Sequence, residues 1–168
     1  CIDSFAINNE EKYTPGPVSQ FFYPFPGENR ENFEIEMNGV PVRTELDINE
    51  LDAAAVLIER EARILITYTD YNDFITAWQR YYRMIYKDNY LRLAVLSEIF
   101  EDNYKLDYKS DKEKVMLLLN WIQNFDYYRT GTASDLTSPV ETGYYMSGDC
   151  DSRALLFIIL LNYYNIDI

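Results

Sequence analysis

Apolar residues recur at helical spacing through the middle of the chain. Asp47-Ile-Asn-Glu50 has the form of a capping box and opens a helix carrying Leu51, Ala54, Ala55 and Ile58 on one side. Arg63-Ile-Leu-Ile-Thr-Tyr68 is rich in β-branched residues and reads either as a short strand or as more of that helix. A second helix is predicted from about Tyr71 to Tyr86. A third runs from Asp88 to about Asp102, with Leu91, Ala94, Val95 and Ile99 on one face. Ser110-Asp-Lys-Glu113 is a further helix start, since the serine can accept from the Glu113 backbone N–H while the carboxylate reaches back. Val115, Leu118, Leu119 and Ile122 then form a core stripe, widened by Met116, Leu117 and Trp121. From Ala154 to Tyr164 the chain is apolar nearly all round, which at this length predicts a buried helix.

Turn-forming residues divide this pattern. Five of the six prolines and the run Phe21-Phe22-Tyr23 fall within residues 1–41, predicting an extended arm docked by its aromatics. No Gly or Pro occurs from Val42 to Thr130, so residues 42–110 read as a helical region. Thr130 to Gly148 gathers small and polar residues and reads as a surface loop of about twenty residues, long by the usual priors and hence a functional candidate. Asn165-Ile-Asp-Ile168 reads as an opening strand.

Composition narrows the chemistry. The 168 residues include no histidine, so they cannot assemble a Cys-His dyad, a Ser-His-Asp triad or a His-based metal site from their own side chains. A net charge of −13 repels phosphate backbones and argues against nucleic acid as a partner. The longest apolar run, Ala154 to Leu161, is about half a bilayer span. Cys1 at the first position is either the lipid-bearing residue left by lipoprotein signal cleavage or an arbitrary boundary. The former implies an extracytoplasmic, lipid-anchored protein.

Cys150 is the one cysteine set in a chemical context. It follows Gly148-Asp149 at a predicted helix N-terminus, where the helix dipole and free N–H groups favour a thiolate and can donate to an oxyanion. Asp149 and Asp151 oppose this unless the first caps the helix and the second turns into first-turn N–H groups. Gly148 would allow close approach of a substrate backbone. The bland alternative is a small buried hydrophobe at a helix start. Tyr pairs at 81-82, 127-128, 144-145 and 163-164 form either a stacking surface or amphipathic packing. Tyr144 and Tyr145, near Cys150, are the candidates for substrate contact. Asp149 and Asp151 do not make a calcium loop, and no cofactor is expected.

Trp121-Ile-Gln-Asn-Phe-Asp-Tyr127, Ser138-Pro-Val-Glu-Thr142 and Gly148-Asp-Cys-Asp-Ser-Arg-Ala-Leu-Leu156 occur in order and at a spacing that resembles the N-terminal half of a bacterial transglutaminase-like domain, over about residues 111–168. The resemblance implies an α+β papain-like fold in which the Cys helix packs on an antiparallel sheet. It also implies a Cys-His-Asp triad with Cys150 as nucleophile, acting on a protein or peptide through a thioester. Gln123 matches the family's glutamine, which makes it either a second oxyanion donor or an ordinary exposed amide. The family's His and Asp follow the Cys helix and match no residue here, so a degenerate, non-catalytic binding module stands as the alternative. As it stands, this polypeptide is expected to be inactive.

Overall fold

A computed structural model describes residues 29–69, 74–131 and 134–167. The chain there is α+β and mostly helical, with two two-stranded sheets. The first is a hairpin of β1 (Arg30–Met37) and β2 (Val40–Asp47). Its turn is Asn38-Gly39, with φ of 50° and 85°, the doubly left-handed conformation that two-residue hairpins require. Ile35 and Met37 are fully buried between exposed Glu34 and Glu36, the alternation of a half-buried strand. This hairpin replaces irregular arm over residues 30–41, because the Asn-Gly turn and the Phe33-to-Met37 alternation outweigh Pro41, which the two-stranded edge tolerates. The rest of the predicted arm, with Cys1 and the aromatic run, lies outside the described residues.

Helix α1 (Ile48–Thr69) starts as its sequence predicts, with the Asp47 carboxylate accepting the Asn49 N–H at 3.1 Å. The Glu50 carboxylate accepts from Arg92 Nη1 at 2.9 Å. Arg63 to Tyr68 continues the helix. Leu51, Ala54 and Ile58 face the core, while Ala55 is exposed. Helix α2 (Phe74–Arg92) runs past the predicted break near Lys87, and α3 (Ala94–Tyr104) begins after Leu93. The break moves because Asp88 is buried as the bidentate partner of Arg92, at 2.9 Å on both arms, and so caps nothing. Between α1 and α2 the buried Glu61 accepts from Arg60 and Arg80, each at 2.6 Å.

After a short 3-10 turn at Leu106–Tyr108 comes α4 (Asp111–Gln123), whose capping box forms as predicted. Leu118, Trp121 and Ile122 are its buried residues, and Met116 is exposed. Trp121 donates its ring N–H to Glu36 O at 2.9 Å, tying α4 to the hairpin. Then follow β3 (Asp126–Tyr127), α5 (Pro139–Tyr145), β4 (Ser147–Gly148) and α6 (Cys150–Tyr163).

Helix α6 is the centre of the core. Leu155, Leu156, Ile159, Leu160 and Leu161 are buried, and most of them pack with Leu96, Phe100, Leu118 and Trp121. The helix closes with Asn165 at a φ of 54°, its N–H bonded to Asn162 O and that of Ile166 to Leu161 O. That pair of bonds is a Schellman closure, so Asn165 to Asp167 ends the helix where a strand was predicted.

Candidate functional site at the N-terminus of helix α6

The segment predicted as a surface loop is largely interior. Leu136 to Val140 and Thr142 to Tyr144 are buried, because Ser138-Pro139 nucleates α5 inside the fold: Ser138 Oγ accepts the Glu141 N–H at 3.2 Å and Pro139 takes the first helical turn. Asn89, itself fully buried, receives the Val140 N–H on its side-chain oxygen at 3.0 Å. Met146 ends α5 in the left-handed region, at a φ of 50°. The chain then enters β4, parallel to β3, with Asp126 N–H on Met146 O at 2.9 Å.

Gly148 is buried and closely packed. A Cβ there would lie 3.0 Å from Thr142 Oγ1, 3.1 Å from Thr142 Cγ2 and 3.2 Å from Ser152 Cβ. A side chain there would have to push Thr142 or Ser152 aside, so Gly148 lets β4 pack closely against α5 and α6.

Asp149 caps α6. Its Oδ1 accepts the Ser152 N–H at 2.9 Å and the Ser152 hydroxyl at 2.6 Å, and Ser152 Oγ in turn accepts the Thr137 N–H at 3.1 Å. Arg153 donates Nε to Gly148 O at 2.9 Å, its guanidinium 5.9 Å from the centre of the Tyr127 ring. These bonds join three stretches of chain at one helix end.

Cys150 is the first residue of this helix, a free and exposed thiol. Asp151 is exposed beside it, and its carboxylate accepts from Tyr82 Oη on α2 at 2.8 Å in place of the expected first-turn N–H groups. The phenol is held in turn by ring contacts: Tyr82 stacks on Trp78 at 5.6 Å and meets Tyr81 edge-on at 5.2 Å. Burial, and secondly the bond to Asp151, push Tyr82 well above the usual phenol range. Tyr81 is raised mainly by burial, with Glu59, Asp149 and Asp151 adding to it.

The remaining site candidates separate. Tyr144, 2% exposed, belongs to the core, its ring edge-on to Phe33 at 5.5 Å and its phenol pushed up to about 12, chiefly by burial. It packs and cannot contact a substrate. Tyr145, 53% exposed, is the accessible member of that pair. Gln123 is exposed in the last turn of α4, three residues ahead of β3, and has no hydrogen bond to the Cys150 turn among the described residues. The Tyr163-Tyr164 pair packs: Tyr163 stacks on Tyr90 at 4.4 Å, and Tyr164 donates to Ser97 O at 2.8 Å. Among the described residues no cluster of three His, Cys, Asp or Glu could hold a metal ion, and no helix is long and apolar enough to cross a membrane.

Sequence reasoning placed Tyr82 only in a tyrosine pair, without its Asp151 partner, and missed Thr137. The spacing of Trp78, Tyr81 and Tyr82 places them on one helical face, but periodicity does not say which neighbour that face meets. No family model, no curated protein and no solved structure matches this chain.

Proposed function

We propose that Cys150 is the nucleophile of a transglutaminase-like thiol activity, acyl transfer or amide hydrolysis, on a protein or peptide. The observation that carries this reading is an exposed thiol at the first position of the helix whose leucines and Ile159 enter the core, with the helix cap fixed by Asp149, Ser152 and Thr137. A nucleophile needs access and a fixed attack direction, and this turn supplies both.

The thiolate adds to the amide carbonyl carbon, and collapse of the tetrahedral adduct breaks the C–N bond. The amine leaves with a proton and a thioester is left on Cys150. An amine or water then attacks the thioester carbonyl and releases the thiol. Helix geometry leaves the Cys150 and Asp151 N–H groups without intrahelical acceptors, since Ser152 donates to Asp149 Oδ1 and Arg153 to Asp149 O. Those two donors are suited to the oxyanion.

The base and its orienting carboxylate come, in this reading, from polypeptide outside these 168 residues, which hold no histidine. Residues 111–168 are then the first half of a papain-like fold.

The test uses the complete gene product, incubated with a glutamine-containing peptide and a primary amine. The expected result is an acyl adduct on the Cys150 peptide, cleaved by hydroxylamine and lost in Cys150→Ser. Turnover that survives Cys150→Ser overturns the reading. A complete product that forms no adduct with any amide peptide favours a non-catalytic binding module instead.

A further inference from the structure

Both carboxylates that flank Cys150 along the chain are engaged, Asp149 by Ser152 and Asp151 by Tyr82. The first is ordinary capping. The second crosses from α6 to α2, and capping does not require it.

An aspartate at the second position of a helix normally turns onto the first-turn N–H groups, which attract anions and lack intrahelical partners. Here those groups belong to Cys150 and Asp151 themselves. A carboxylate resting on them would take the donors meant for an oxyanion and set a negative charge beside a thiolate. We propose that Tyr82 is a positioning residue for Cys150, tethering the Asp151 carboxylate to α2 and so keeping it off the thiol and its neighbouring N–H groups. The inference rests on the reading of Cys150 as a nucleophile.

The tether is suited to this part. Tyr82 is held by the Trp78 stack and the Tyr81 edge contact, and the phenol has few rotatable bonds. Burial raises it, so the donor keeps its proton throughout the range in which thiols titrate. The other charged groups near this junction are already engaged. On α1, Glu59 accepts from Ser134 Oγ, and Glu61 is paired with Arg60 and Arg80. On α6, Asp149 holds Ser152, and Arg153 is bonded to Gly148 O and lies over Tyr127 of β3. Tyr81 on α2 stays protonated. Asp151 is therefore the carboxylate whose placement is decided by one replaceable bond.

The experiment is alkylation of the full chain by iodoacetamide, in which the Cys150 thiolate forms a C–S bond as the C–I bond breaks and the thiol proton passes to solvent. The rate is read on the Cys150 peptide by mass spectrometry, so that Cys1 does not contribute, over about pH 6 to 9. Tyr82→Phe keeps the ring stack and removes only the donor. It is expected to slow the reaction at pH 7 roughly threefold to tenfold and to move the rate–pH curve upward. Asp151→Asn alone is expected to change little, and the double variant to return to the wild-type rate and curve. A Tyr82→Phe curve that superimposes on wild type overturns the proposal, as does a double variant as slow as Tyr82→Phe, which would mark a packing effect. A wild-type Cys150 no faster than free cysteine instead sinks the nucleophile reading, whereas a fast Cys150 indifferent to Tyr82 sinks the tether alone.

Discussion

Two helices in this protein begin with the same four-residue pattern, Ser110 to Glu113 at α4 and Ser138 to Glu141 at α5, and the pattern does different work in each. Both serines accept the N–H of the glutamate three residues on, at 3.4 and 3.2 Å. At the exposed α4 terminus the Glu113 carboxylate returns, accepting from Ser110 N at 2.8 Å and from its hydroxyl at 2.6 Å, and these bonds hold Glu113 below the usual carboxylate range. At α5 the serine is 1% exposed and no such reciprocal box is formed. Burial, with Asp52 adding to it, pushes the Glu141 carboxyl up instead. The local pattern secures the cap in both places. Tertiary burial decides whether the charge that comes with it helps or hinders.

The interior caps should therefore be the costly ones to lose. Asp149 is the most connected of them, and Asp149→Ala is expected to destabilise by about 2–3 kcal/mol, since it removes two bonds and leaves buried Ser152 donors unpaired. Urea unfolding with an unchanged slope checks this, and Asp149→Asn, which keeps an acceptor, should recover most of the loss. Ser138→Ala comes next at about 2 kcal/mol, because the Glu141 N–H is left without its partner in the interior. Ser110→Ala, at a solvated terminus, should cost no more than about 1 kcal/mol. The reverse order would break the comparison.

The smallest effects are the sharpest in sign. A carboxyl lowered in the folded state adds stability that is present above its unfolded value and lost as pH falls through the folded one. Glu113→Gln should therefore lower the thermal midpoint at pH 7 and leave it unchanged near pH 3. For Glu141, raised on folding, the stability contribution falls as pH climbs from the unfolded value through the folded one. Glu141→Gln should raise the midpoint at pH 7 and again do nothing near pH 3. Shifts of the same sign at pH 7 would contradict the assignment.

What the sequence revealed follows the same division. The α4 box, the buried character of α6 and the Asp149 cap were readable because each depends on residues within one turn of one another. The break between α2 and α3 was misplaced, since Asp88 looks like a cap until Arg92 and Glu50 are seen to claim its neighbourhood. The polar stretch from Thr130 to Gly148 resembles a surface loop by composition. From Leu136 to Tyr144 it is largely interior, because Asn89 and Ser152 satisfy its backbone from elsewhere in the chain. At the candidate site Cys150 was legible and Tyr82 was not, because the Tyr82–Asp151 bond joins residues 69 positions apart.

The claim on which the account turns is that the α6 terminus activates the thiol it presents. Cys150 in the folded chain and N-acetylcysteine amide should be alkylated side by side by iodoacetamide at pH 7, with the protein rate read on the Cys150 peptide. The account predicts that Cys150 reacts faster, by roughly threefold to tenfold, and that the advantage disappears in urea. A Cys150 that reacts no faster folded than unfolded would contradict it.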